Sequence, residues 1–174
     1  MSRMLLLRVA SPRALPIASR RRLSSMASLQ QSSDARPPTP CFSPGSDDAA
    51  LALALGPLVS PRGHWELSPN GMALERSFKF KSFAKTWDFM TAVSLQCKVN
   101  NHHPEWSNVY NAVFVRWTTH HPRGLSSNDV VMAALCDSLA RDFGELNVEP
   151  TDCKIRQLAD QAHTSAGDCC TPKS

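Results

Sequence analysis

Between residues 72 and 100 the apolar side chains change their period, and this restricts the fold more than any other feature of the chain. Met72, Leu74, Phe78 and Phe80 share one side with Arg76, while Ala73, Glu75, Ser77 and Lys79 fall on the other. That period of two predicts a half-buried strand, with Arg76 as the one misfit on its apolar side. Directly afterwards Phe83, Trp87, Met90, Val93 and Cys97 recur at steps of four, three, three and four, with Ala92, Leu95 and Val99 beside them. This is the pattern of an amphipathic helix with a wide apolar face. Ser82 is its expected N-cap, and Pro104 should end it near Asn100 and Asn101, because a proline disfavours helical geometry in the residue before it.

The flanking segments follow from turn and cap chemistry. Residues 64–67 read as a partner strand, since Ser68-Pro69-Asn70-Gly71 favours a turn back into residues 72–80. Upstream, Asp47 and Asp48 open an Ala and Leu run to Leu55, a short first helix with Ser46 as cap and Gly56-Pro57 as stop. Downstream, Val109, Val113, Val115 and Trp117 alternate with polar or mixed positions, as one long strand or as two turned about Asn111. This segment closes at Thr118-Thr119-His120-His121-Pro122, with Arg123-Gly124 as a loop. Ser126 then caps a final helix in a Ser-x-x-Asp box with Asp129, carrying Met132, Leu135, Leu139 and Phe143 on one face and stopping at Gly144.

These elements set a folded domain over residues 47–144, preceded by a segment over 1–46 and followed by a frayed or partly helical tail over 145–174. The formal net charge of +4 arises at the front, where residues 1–33 hold six arginines and no acid. That composition, among Ser, Ala and Leu, is that of a mitochondrial transit segment, with Met26 as a further possible start for a cytoplasmic form. Residues 34–46, rich in Pro and Ser, read as an extended linker. No apolar run reaches the roughly 20 residues of a membrane helix. No basic patch with interleaved aromatics points to nucleic acid. The six cysteines form no C-x-x-C pair, which argues against a zinc ribbon or a disulfide framework.

The chemistry concentrates in histidines. His102 and His103 stand where the helical pattern breaks, and His120 and His121 close the following β segment, so four of six histidines bracket one stretch. Three of them, His102, His103 and His120, could gather at one end of a sheet. General acid/base catalysis is one use, since imidazole titrates near neutrality. Zinc bound by three histidines and a water is the other, disfavoured because adjacent side chains in an extended segment diverge and no His-x-x-x-His or His-x-His spacing occurs. His121 reads as a structural hydrogen-bonding residue. The four tryptophans read as packing anchors, with Trp106 a possible pocket wall.

The run Asn101-His102-His103-Pro104-Glu105-Trp106, with Asn108-Val109-Tyr110-Asn111, then Thr118-Thr119-His120 and Gly124-Leu125-Ser126 with Asp129, resembles the pterin-4a-carbinolamine dehydratase family. The resemblance extends back through Phe89-Met90-Thr91, Phe83 and Phe78 to Trp65. It implies an α+β fold, a four-stranded antiparallel sheet with helices packed on one face in the order α-β-β-α-β-β-α, and assembly into homodimers or homotetramers. It implies dehydration of 4a-hydroxytetrahydrobiopterin to quinonoid dihydrobiopterin, a step of tetrahydrobiopterin recycling, without metal or organic cofactor. His102, His103 and His120 correspond to the catalytic histidines. Asn101, Thr118, Thr119 and His121 flank them as pterin-pocket residues, and Asp129 could orient an imidazole or only cap its helix. Animal members also serve as dimerisation cofactors of a transcription factor, which makes an interaction protein the alternative. Lys98 departs from the acid often found at that position in the family.

Overall fold

The two periods of residues 72–100 become a strand and a helix. In the computed structural model, which describes residues 37–147 and 153–166, the elements run α1 (Asp48–Val59), β1 (Glu66–Leu67), β2 (Leu74–Lys79), α2 (Phe83–Asn100), β3 (Glu105–Val109) and β4 (Ala112–Trp117). Two short strands follow, β5 (Thr119–His120) and β6 (Arg123–Gly124), then α3 (Ser127–Phe143) and α4 (Cys153–Ala166). The main sheet is antiparallel in the order β1-β2-β4-β3, and β5 pairs with β6 in a separate ribbon. The segment left open between one strand and two is a hairpin. Val109 pairs with Ala112, and Tyr110 turns the chain at φ 52°.

Register explains why the sheet has two different faces. Leu74, Arg76 and Phe78 of β2 stand opposite Trp117, Val115 and Val113 of β4, and these residues enter one core with Phe89 and Val93 of α2, Met132 and Cys136 of α3, and Leu51 and Leu55 of α1. Each large side chain fully buried there contributes about 1.5–3 kcal/mol. Arg76 remains on this face because its charge is matched. Its guanidinium binds Asp137 and Glu145 and lies 4.3 Å from the centre of the Phe78 ring. The other face carries Glu75, Arg116 and Glu105 in cross-strand register.

Helices α1 to α3 therefore take the apolar face, giving the expected α-β-β-α-β-β-α order, and α4 is added on the other. Ile155 and Ala159 of α4 are buried with Ala112 and Phe114 of β4, in a small second core. The part of the tail over 153–166 is thus a packed helix. Its Leu158 is exposed, and its two small anchor positions are four residues apart, too brief a signal to separate from a polar tail.

Other expectations are corrected in detail. Asp47 rather than Ser46 caps α1, accepting from the Ala50 amide at 3.0 Å, and the helix continues past Gly56-Pro57 to Val59. Pro57 sits in the last turn, and the extra residues bury Leu58. On α2 the buried stripe is Thr86, Phe89, Met90 and Val93, whereas Phe83 and Trp87 are 51% and 48% exposed and pack on one another. Steps of three and four fit two overlapping stripes. Thr86 can face inward because its hydroxyl donates to the Ser82 carbonyl at 3.0 Å. Residues 41–43, expected in a linker, are extended but tied down: the Cys41 amide donates to Gly71, and Ser43 and Leu125 complete a parallel bridge beside Phe42. Arg123-Gly124 forms β6 instead of a plain loop. Gly124 is required there, because its φ is 135° and a Cβ would meet the Ser43 backbone nitrogen at 2.6 Å. The transit-like segment over 1–33 lies outside the described residues.

Candidate active site

The site begins at the end of α2. Ser82 caps its start, and Asn101 ends it in the left-handed region at φ 46°, its amide donating to the Cys97 carbonyl. The chain then extends through His102 and His103 into β3, so the two imidazoles leave the backbone in different directions, as their adjacency requires. His102 stacks on Trp117 with ring centres 5.5 Å apart, and its Nε2 lies 2.7 Å from Asp129 Oδ1. His103 instead stacks against His120 of β5 at 5.7 Å.

Asp129 does both things that its position allowed. It is fully buried at the start of α3, where its Oδ2 accepts from the Ser126 amide at 2.7 Å and closes the capping box. The same oxygen lies 2.8 Å from the Thr119 hydroxyl and 3.0 Å from that of Ser126. With Oδ2 occupied in this way, Oδ1 is left for His102. As a carboxylate Asp129 only accepts, so His102 donates from Nε2. The cap that starts α3 thereby fixes an imidazole 27 positions earlier in the chain.

His120 is held differently. Its Nε2 is buried without a hydrogen-bond partner among the described residues, 3.6 Å from Glu105 Oε1. Burial lowers its pKa from the ordinary histidine value, against the raising effect of the Glu105 charge; neighbouring His103 and His163 add to the lowering. Glu105 Oε1 also takes a contact of 3.1 Å from Nδ1 of His163 on α4, and its Oε2 lies 3.1 Å from Arg116. Arg116 binds Glu75 at 2.6 Å and Asp160 of α4 at 2.5 Å. Burial opposes that guanidinium charge, but the bond to Asp160 and the charge and bonds of Glu75 and Glu105 outweigh it, and the pKa is raised.

A cleft of about 430 Å³ opens beside this network, within the range of small-molecule sites. Thr118, Thr119 and His120 line it together with Glu105, Arg116 and His163. Asn101, His102, His103, His121 and Asp129 are not among its lining residues. Asn101 and His121 are exposed, and Thr118 donates to the Met72 carbonyl at 2.8 Å. The structure thus joins His103 to His120 and His102 to Asp129, and Thr119 touches both the carboxylate and Ser126. Glu105, Arg116 and His163 carry no role in the sequence reading. Glu105 and Arg116 are opposite each other across the β3–β4 hairpin, a pairing legible once the turn at residues 110–111 is placed. His163 had no such signal. Among the described residues no group of three or more His, Cys, Asp or Glu side chains is placed to hold a metal ion.

Comparison with known proteins identifies the family. Residues 46–139 match the family described as Pterin 4 alpha carbinolamine dehydratase. A protein of Novosphingobium aromaticivorans, provisionally named as such a dehydratase, is 43% identical over 81 residues, which cover 47% of this chain and 84% of the relative. A likewise named protein of Dinoroseobacter shibae is 40% identical over 94 residues, 54% of this chain and 95% of its own. The chain is also similar to a solved structure titled as a transcriptional coactivator/pterin dehydratase from Brucella melitensis, at 34% identity and a TM-score of 0.48, covering 53% of this chain and 95% of that one. With more than half its length matched, the chain belongs to the pterin 4 alpha carbinolamine dehydratase family.

Proposed function

We propose that the protein dehydrates 4a-hydroxytetrahydrobiopterin to quinonoid dihydrobiopterin in tetrahydrobiopterin recycling, with histidines as its only acid/base groups. The C4a–O bond breaks, the hydroxyl leaves as water after taking a proton, and a ring nitrogen loses a proton as the new double bond forms. The stacked pair His103 and His120, with His102 anchored separately on Asp129, is the observation that carries this reading. Two chemically distinct imidazole environments suit one acid and one base.

His120 suits the acceptor role, because burial lowers its pKa and so favours its neutral form. His103, against its ring, shares the displaced proton. His102 supplies the proton to the departing hydroxyl, its ring held by Asp129 and flattened on Trp117. Each positioned acid or base contributes on the order of 10²–10⁴-fold. The pterin ring binds at the edge of the cleft by Thr119 and His120, on the side where His103 stacks against His120. Homo-oligomer formation accompanies this function, supported by Phe83, Trp87, Leu95 and Val99 standing exposed on α2.

The deciding experiment is a carbinolamine dehydration assay on the wild type and His103→Ala. The wild type should exceed the uncatalysed rate, and the variant should lose most of that excess. Wild-type turnover no faster than the uncatalysed reaction would refute the proposal.

A further inference from the structure

Helix α4 lies beyond residues 46–139, the part matched to the family, yet it reaches the candidate site. Ile155 and Ala159 bury its inner face against β4, and Asp160, next to Ala159, and His163, one turn beyond it, line the cleft. Asp160 binds Arg116 at 2.5 Å, which fixes the helix over the charged face of the sheet. His163 then places Nδ1 3.1 Å from Glu105 Oε1, the same oxygen that stands 3.6 Å from His120 Nε2, and its ring centre is 6.4 Å from that of His120.

We propose that His163 is a positioning residue of this site: it holds Glu105, and through Glu105 it governs how readily His120 takes up a proton. One carboxylate oxygen faces two imidazoles. The nearer one, His163, competes with His120 for that oxygen, and the buried Nε2 of His120 has no hydrogen-bond partner among the described residues. Glu105 cannot turn away freely, because its other oxygen is held by Arg116. The titratable and charged groups around His120 include Glu105 from β3, His103 from the preceding loop, Arg123 opposite it in the β5–β6 pair, Asp129 from α3 and His163 from α4. Only His163 lies outside the family-matched region.

The inference rests on the proposed dehydratase reading for its consequence in turnover, but not for its physical test. The test is an NMR titration of the histidine rings in the full chain, with His120 assigned from a His120→Gln spectrum. The comparison is between wild type, His163→Ala and His163→Asn. His163 is half exposed, so neither substitution removes core packing. In His163→Ala the freed Glu105 oxygen can accept from His120, and a neighbouring imidazole that carries positive charge when protonated is gone. Both changes raise the His120 midpoint, by on the order of half a pH unit. Asn offers an amide donor near the place of Nδ1, so His163→Asn should return most of that shift. The limb of the kcat/KM profile that follows His120 should move with it. An unchanged His120 midpoint in His163→Ala would overturn the inference, as would His163→Asn behaving like His163→Ala. If the midpoint moves in a protein without dehydratase turnover, the positioning role stands and the proposed function fails.

Discussion

Replacing Asp129 by Asn separates its two tasks. The side chain keeps its volume and one carbonyl oxygen, but half of the carboxylate becomes an NH₂ donor. The Ser126 amide needs an acceptor at 2.7 Å, so the amide oxygen takes the Oδ2 place and the NH₂ faces His102 Nε2. Two donors cannot share a contact, and His102 must therefore carry its proton on Nδ1 and accept at Nε2. The cap survives and both hydroxyls can rotate to suit, so the stability cost is that of weakening charge-assisted bonds, about 1–2 kcal/mol. Asp129→Ala removes every one of these bonds inside the core and should cost about 3–5 kcal/mol, a large part of an ordinary domain's stability. Urea unfolding measures both. ¹⁵N shifts of the His102 ring report the tautomer, and turnover of Asp129→Asn should fall by on the order of 10²–10⁴-fold with the fold intact. An Asp129→Asn protein with wild-type turnover, or with His102 still protonated at Nε2, would refute the argument.

Arg116→Met should lower stability by about 3–5 kcal/mol in urea unfolding, because Glu75 and Glu105 are then left facing one another across the sheet with less cation between them. The depressed pKa of His120 makes the folded state bind a proton less readily than the unfolded one. Its contribution is present above the unfolded value of about 6.5 and is lost as pH falls through the folded value, so His120→Gln should flatten the stability profile below about pH 6.5. Burial pushes the Cys136 thiol up to about 12, so iodoacetamide at pH 8 should leave Cys136 unmodified in the folded protein and label it on unfolding; labelling at equal rates in both states would contradict this. Residues 1–33 fused to a fluorescent reporter should carry it into mitochondria, and a uniformly cytosolic signal would reject that location.

The order of elements could be read from the sequence because each rests on short-range chemistry. Alternation over residues 72–80, the Ser82 and Ser126 caps and the left-handed Gly144 stop involve residues a few positions apart. The histidines stood out for the same reason, as adjacent pairs at element ends. Tertiary packing decided which stripe of α2 turns inward, since Phe83 and Trp87 fit the helical period as well as Thr86 and Phe89 do. It also decided what each histidine does. His102 meets Asp129 across 27 positions, and His103 meets His120 across 17, distances over which no local pattern carries information. Arg76 looked like a misfit until Asp137 and Glu145, more than 60 positions away, arrived to match its charge. The sequence by itself determined helices α1 to α3, strands β1 and β2 and the stock of imidazoles, but not α4, β6 or the division of β3 from β4. Only the folded chain decided their partners, because a buried charge or ring is defined by the groups that displace water around it, and those groups come from every part of the chain.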